Sequence, residues 1–310
     1  MKVSTIFEAP PLRRPVMTIG IFDGVHLGHR FMLHQLRQEA DRHDGEAVVV
    51  TLWPHPRLVL QKDLQGFRLL HSMEEKTRAL EACGMDHLVV VPFTREVASL
   101  TACDFVQNYL VERLGVEVLM LGYDNRFGSD RNGDPDGLQQ CACEHQFRIQ
   151  KLPEHRHGKE GISSSIIRDL IWNGAVAEAS KKLGYEYSLE GDVVEGNQVG
   201  RQIGFPTANI HPGEPYKLIP MNGVYAIRAL LDGVEHTGML NIGFRPTLDS
   251  DSPVKTIEAH LFGVSGDFYG KKMDIRFVHR LRDEMKFQGL EALRQQLERD
   301  RETACKLLGV

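Results

Sequence analysis

The first half of the chain repeats one pattern, a short unbroken apolar run followed by a longer stretch whose apolar residues recur every three or four positions. A strand that is apolar at consecutive positions buries both faces, as strands do in a parallel sheet covered by helices. Val16 to Phe22, Ala47 to Leu52, His87 to Phe93, Val116 to Leu121 and Phe147 to Leu152 are predicted strands. Gly28 to Ala40, Ser72 to Cys83 and Thr101 to Leu114 are predicted helices. Thr101 with Asp104 resembles a capping box, and Ser163 or Ser164 can cap a helix running to Asn173. After Leu183 the texture changes: alternation replaces the helical period, and glycine-bounded strands follow one another directly. That is the pattern of an antiparallel sheet or barrel. Val224 to Leu231 and His236 to Ile242 read as a hairpin through Asp232-Gly233, and Thr256 to Phe262 and Met273 to Leu281 add strands. A final helix starts near Leu290, with Leu290, Leu293, Leu297, Leu307 and Leu308 as its apolar stripe. The expected architecture is α/β plus β, a doubly wound parallel sheet over residues 1–183 and an antiparallel β-barrel with a terminal helix over 184–310.

Length and charge narrow the class. At 310 residues the chain can bury two cores of ordinary size. With 37 Lys+Arg against 42 Asp+Glu and neither half basic, a nucleic-acid coat is excluded. No apolar run approaches the length of a membrane span, so no membrane partner is expected. The five cysteines are an odd count with no Cys-x-x-Cys pair, so neither a disulfide framework nor a zinc knuckle is expected, and Cys141 and Cys143 are expected as surface thiols in a reducing cytoplasm. Oligomeric state leaves no signature in the sequence.

Candidate chemistry gathers just past the predicted strand ends, where open parallel sheets bind ligands. Gly20-Ile21-Phe22-Asp23-Gly24-Val25-His26-Leu27-Gly28-His29 is a glycine-bearing turn that delivers two histidines to a helix N-terminus. Backbone N–H groups and the positive helix end favour phosphate there. Taken alone, His26 and His29 could equally be surface histidines. The segments holding Asp124 and Arg126, and Ser163, Ser164 and Arg168, also follow apolar runs, and this convergence favours a ligand site. In the second half, Gly200 to Ile210 is the densest motif. If it is extended, Thr207 and Asn209 point hard oxygen donors suited to Mg²⁺ to one side; otherwise they are turn formers. Glu258 interrupts an alternating strand, where a carboxylate is either solvated or facing a pocket.

These motifs together resemble a known family. His26 to His29, the Pro-His-Pro loop at Pro54 to Pro56, the Gly-x-Asp-x-Arg-Phe-Gly loop at Gly122 to Gly128 and Ser163 to Arg168 look like the adenylyltransferase half of the bacterial bifunctional riboflavin kinase and FAD synthetase. Gly200 to Ile210, Asn241 to Thr247, Glu258 to His260, Asp267 to Lys271 and Leu281 to Phe287 look like its kinase half, in family order. Asn125 and Ser165 depart from the family's residues. The resemblance implies phosphorylation of riboflavin to FMN in the C-terminal barrel, and adenylylation of FMN to FAD in the N-terminal nucleotidyltransferase domain. ATP, riboflavin and FMN are then substrates, and Mg²⁺ the cofactor. For the kinase it implies Glu258 as base, Thr207 and Asn209 on metal and phosphate, Gly204 near nucleotide, and Arg282 and Phe287 near flavin. For the synthetase it implies nucleotide contacts from Gly20, Phe22, Asp23, Gly24, Gly28, Asp124, Arg126, Ser163 and Ser164. His26, His29 and Arg168 would stabilise the transition state. The alternatives are that one half is an inactive scaffold, or that the whole chain is a flavin or nucleotide sensor.

Overall fold

The computed structural model describes residues 1–61, 66–122, 126–152, 161–196, 200, 203–245, 254–264, 266 and 268–310. They form two compact units, Met1–Phe67 with His71–Ser163, and Arg68–Leu70 with Ser164–Val310.

In the first unit β1 (Lys2–Thr5), β2 (Val16–Ile19), β3 (Ala47–Trp53), β4 (His87–Pro92), β5 (Val118–Leu121) and β6 (Arg148–Lys151) form a six-stranded parallel sheet in the order β1-β4-β3-β2-β5-β6. Successive side chains enter cores on opposite faces: Met17, Ile19, Val48 and Val50 on one, Val16, Ala47, Val49 and Met120 on the other. This two-sided burial is why the strands read as continuous apolar runs. From β2 the chain builds outward to β3 and β4, then returns to lay β5 on the other side of β2. The carboxyl ends of β2 and β5 therefore flank a topological switch point.

Helices α1 (Leu27–Arg42), α2 (Pro56–Leu60), α3 (Met73–Glu81), α4 (Arg95–Ser99), α5 (Ala102–Phe105) and α6 (Gln139–His145) belong to this unit. Leu33, Leu36 and Ala40 form the buried stripe of α1. Ser72 caps α3 in a full capping box, its hydroxyl accepting from Glu75 N–H at 3.1 Å and Glu75 Oε2 accepting from Ser72 N–H at 2.7 Å. The box expected at Thr101 is only half made: Thr101 Oγ1 accepts from Asp104 N–H, but the shorter Asp104 carboxylate takes the Thr101 hydroxyl proton instead of reaching the backbone. Nor is Thr101 to Leu114 one regular helix, because α5 widens into π-helical turns over Val106–Val111, with Glu112 N–H donating to Gln107 O.

One expectation is corrected outright. Cys103 and Cys141 form a disulfide, with Cα atoms 5.8 Å apart and a sequence separation of 38. Cys141 belongs to the core on one face of the sheet and the partly buried Cys103 packs against it, and only the packing of α5 and α6 makes them neighbours. Cys141 is buried, and Cys143 is an exposed free thiol as expected.

The second unit holds α7 (Ser164–Trp172), α8 (Val176–Leu183) and a closed barrel of β7 (Ser188–Val194), β8 (Ala208–Pro212), β9 (Gly223–Leu231), β10 (Val234–Arg245), β11 (Val254–Leu261) and β12 (Lys272–Arg282). Around the barrel the order is β10-β11-β8-β7-β12-β9, with every pairing antiparallel. Asp232 and Gly233 close the expected hairpin with φ of 52° and 80°. Tyr187, Tyr225 and Phe277 are buried together, Phe277 lying 5.3 Å from Tyr225 edge-on and 6.2 Å from Tyr187. In the C-terminal helix, Leu290–Leu308, the buried face is Asp300, Ala304 and Leu308. Leu290 and Leu307 of the expected stripe are exposed, while Leu293 and Leu297 line a pocket, so the face is set by i, i+4 and i+7 steps from Leu293.

Because Phe277 is fully buried between two aromatic rings, Phe277→Ala should destabilise the barrel by about 3–5 kcal/mol. Urea denaturation followed by barrel tyrosine fluorescence reads this as a lower midpoint; an unchanged midpoint would contradict the packing.

Candidate functional site

The turn leaving β2 is built against local backbone preference. Phe22, Gly24 and Val25 take φ of 51°, 84° and 32°, and tertiary packing must hold the two non-glycine residues there. Phe22 to His26 are all buried, and Asp23 Oδ1 accepts from the His71 backbone N–H at 3.0 Å. His26 caps α1, its Nδ1 accepting from His29 N–H at 3.2 Å. Accepting at Nδ1 leaves the ring proton on Nε2. The two imidazoles stack with centroids 3.6 Å apart, and the edge of Phe22 meets His29 at 5.1 Å. Burial first, then the neighbouring His26, Lys76 and His71, hold His29 well below the ordinary histidine pKa. His29 is thus neutral at pH 7 and offers a hydrogen bond rather than a charge. Its Nδ1 is buried without a hydrogen-bond partner among the described residues.

The other predicted residues of this half are placed as follows. Gly20 directly follows β2 and Gly28 lies in the first turn of α1. Asp124 lies outside the described residues, and Arg126 is exposed. Ser163 is the last residue of the first unit, while Ser164 and Arg168 belong to α7 in the second. His71 and Lys76, both buried, were missed by sequence reasoning. Lys76 in particular follows Glu74 and Glu75 in what reads as a solvated helix face.

In the barrel, strand register builds the site. Glu258 of β11 is paired with Asn209 of β8 on one side and with Asn241 of β10 on the other. Thr207, just before β8, donates from Oγ1 to Glu258 Oε2 at 3.4 Å. Thr207 and Asn209 are two residues apart with Ala208 buried between them, so the extended chain turns both to the face of Glu258. Thr207, Asn241, Glu258, Arg282, Phe287 and Leu293 are among the residues lining a pocket of about 270 Å³. A second pocket, of about 320 Å³, lies among Val193, Pro206, Ala208, Leu261, Phe268 and Tyr269, and Thr207 borders both. Sequence reasoning missed the second pocket and did not single out Asn241, although Asn241 heads a quoted motif on the strand beside Glu258. Gly204 sits in the exposed turn before Thr207 with φ of 82°.

Arg282 is committed to the protein. Its Nε lies 3.0 Å from both carboxylate oxygens of buried Asp300, Nη2 donates to Asp300 Oδ2 at 2.7 Å, and Nη1 donates to Asp283 O at 2.8 Å. Its guanidinium stands 5.8 Å from the Phe287 ring, so the pair forms one packed wall. His260 lines the same pocket, with Nδ1 on Pro206 O at 2.8 Å; burial lowers its pKa and the carbonyl partly restores it. The hydroxyl of Thr207, the amide of Asn209 and the carboxylate of Glu258 are hard oxygen donors, and this set fits Mg²⁺.

A doubly wound parallel sheet with a histidine-bearing turn at its switch point, joined in sequence to a barrel with an oxygen-donor cluster, defines a two-domain transferase of phosphate-bearing groups. A family model described as FAD synthetase matches residues 9–166, and one described as riboflavin kinase matches 183–308. The bifunctional riboflavin kinase/FMN adenylyltransferase of Listeria monocytogenes is 37% identical over 285 residues, covering 92% of this chain and 90% of that protein. The Escherichia coli K12 protein of the same name is 36% identical over 296 residues, covering 95% and 93%. A crystal structure of a Streptococcus pneumoniae protein named a macrolide-efflux protein superposes with a TM-score of 0.89 at 28% identity, covering 97% of this chain and 98% of that one. That name belongs to the other protein, and what the superposition establishes is the fold over nearly the whole chain. The chain belongs to the bifunctional riboflavin kinase/FMN adenylyltransferase family. It phosphorylates riboflavin to FMN through its C-terminal half and adenylylates FMN to FAD, releasing pyrophosphate, through its N-terminal half.

A Cβ at Gly196 would fall 1.9 Å from Asn209 Nδ2 and 2.6 Å from Cγ, so Gly196→Ala must push the Asn209 amide aside. FMN formation should drop at least tenfold, about 1.4 kcal/mol of lost transition-state stabilisation, with an unchanged thermal midpoint. Wild-type turnover in this variant would show that Asn209 need not stay where it is.

Proposed function

We propose that each unit runs one of the two reactions with the residues gathered in it. In the barrel, Glu258 accepts the proton of the ribityl terminal hydroxyl as that oxygen attacks the γ-phosphorus of ATP, and ADP leaves with the electrons of the broken bond. Thr207 and Asn209 hold Mg²⁺ and phosphate, and the metal, when bound, neutralises charge on the transferring phosphoryl group. The pocket walled by Arg282 and Phe287 takes the flavin ring, and the second pocket, beyond Thr207, takes the nucleoside of ATP. The observation that carries this reading is the register that pairs Glu258 with Asn209 while Thr207 contacts the same carboxylate. A carboxylate lining one pocket, contacted by a threonine that borders both, has the groups an in-line transfer between two substrates needs.

In the first unit the FMN phosphate oxygen is itself the nucleophile on the α-phosphorus of ATP, and pyrophosphate departs. No side-chain nucleophile is required. Neutral His26 and His29 donate hydrogen bonds to phosphate oxygens at the N-terminus of α1, with Gly20, Phe22, Asp23, Gly24 and Gly28 shaping the turn. Arg126 and Ser163 contribute further phosphate contacts in this reading, while Ser164 and Arg168, the rest of that motif, lie in α7 of the second unit. We place the sequence boundary between the activities at Leu183, supported by the change of hydrophobic period there and by the kinase match over 183–308, although α7 and α8, which precede it, pack in the second compact unit. A cytoplasmic location goes with the reading, since both steps draw on ATP, and neither nucleic acid nor membrane has a part in it. Among the described residues, no helix is long and apolar enough to cross a membrane.

Separate assays test the assignment. Glu258→Gln should lower FMN formation by roughly 10²–10⁴ and leave FAD formation from supplied FMN intact. His29→Ala should do the reverse, lowering FAD formation by roughly 10²–10³. Equal losses in both assays for either variant would contradict the division of labour.

A further inference from the structure

Among the described residues of the first unit, Lys76 is the most deeply buried lysine or arginine. Only 2% of its surface is exposed. Its ammonium lies 5.3 Å from the Trp53 ring of β3, and among the described residues it makes no hydrogen bond. Asp23, on the turn after β2, is the acid that attracts it. One oxygen of that carboxylate already serves the His71 backbone N–H. Lys76 acts on His29 of α1 as a like charge, as do His26, stacked on His29, and His71 ahead of α3. A core packs more cheaply without any of these groups, because a buried ammonium lacking a full ion pair is expensive. Gathered beside a helix N-terminus at the sheet's switch point, they form a site whose missing member is an anion.

We propose that Lys76 is a substrate-binding cation of adenylyl transfer, its ammonium engaging the polyphosphate of the nucleoside triphosphate beside His29. This rests on the reading that the turn from Gly20 to His29 is where adenylyl transfer occurs. The FMN phosphate oxygen bonds to the α-phosphorus, the bond from that phosphorus to the bridging oxygen breaks, and pyrophosphate leaves with the electron pair. Lys76 matches the negative charge that grows on the departing group; it neither gives nor takes a proton. The electrostatics agree. Burial lowers Lys76 to about 8, with Asp23 opposing, so the free enzyme holds a cation on the verge of neutrality. A bound polyanion favours the charged form and lifts that value.

The sign of the pH dependence follows. Only protonated Lys76 engages phosphate, so kcat/KM for FAD formation, which reports the free enzyme, falls as pH rises through about 8. The limb in kcat, which reports the substrate complex, lies at higher pH. Wild-type, Lys76→Met, Lys76→Arg and His29→Ala proteins, all full length, are assayed for FAD formation from FMN and ATP between pH 6 and about 10, with kinase activity on the same preparations as the check on folding. Lys76→Met should lose roughly 10²-fold in kcat/KM with the kinase unchanged, and Lys76→Arg should recover most of it and lack the limb near pH 8, because a guanidinium stays charged. Retention of the limb in Lys76→Arg, or full FAD formation by Lys76→Met while His29→Ala is damaged, would overturn the role of Lys76. Full activity of His29→Ala would overturn the siting of the reaction, and the proposal with it. If Lys76→Met fails to fold, the wild-type and Lys76→Arg profiles still decide: a wild-type enzyme with no limb near pH 8 contradicts the proposal.

Discussion

The pairing of β8, β11 and β10 is the constraint on which the barrel site depends, because side chains in a strand alternate between faces. Sliding β11 by one residue would turn Glu258 away from Thr207 and Asn209 and bring Ile257, now buried, to their face. The register is therefore held by the same hydrophobic burial that closes the barrel. Ala208, Ile257 and Ala259 face inward, and the residues between them are left to do chemistry. Arg282 and Asp300 fasten the C-terminal helix to β12, so the wall of the pocket is tied to the strand rather than carried on a loose terminus. A buried ion pair of this kind contributes geometry more than stability.

The first unit solves the same problem with a parallel sheet. Its strands are buried on both faces, which leaves their carboxyl ends as the place where backbone and polar side chains can meet a ligand. The turn after β2 is strained at Phe22 and Val25, and that strain is held by burial of the whole turn. The gain is that His26 caps α1 and stacks on His29, leaving two imidazoles fixed and neutral at the positive end of a helix.

Much of this was legible in the sequence where burial repeats with a fixed period. β2 to β6, the Asp232-Gly233 hairpin, β11 and β12 follow from apolar runs, alternation and one turn dipeptide. β1 was missed because Lys2 and Val3 are exposed on an edge strand, which leaves no apolar run to read. The short helices α2, α4 and α6 have too few turns to establish a period. Functional motifs were visible because glycine, histidine and asparagine are conspicuous where strands end. Lys76, the Cys103–Cys141 disulfide and the pairing of Asn241 with Glu258 were not legible, since each depends on elements far apart in sequence meeting through packing. The stripe of the terminal helix was misjudged at Leu290 and Leu307 because the residue that fixes its buried face is a charged one, Asp300.

The proposed metal-assisted phosphoryl-transfer site of Thr207, Asn209 and Glu258 is set by strand register. Its most direct test is the Mg²⁺ dependence of FMN formation at saturating riboflavin and ATP, compared between the wild-type protein and Asn209→Ala. The variant should need several-fold more Mg²⁺ for half-maximal rate and have lower turnover at saturation, while the Mg²⁺ dependence of FAD formation stays that of the wild type. Superimposable Mg²⁺ curves for FMN formation would contradict this assignment.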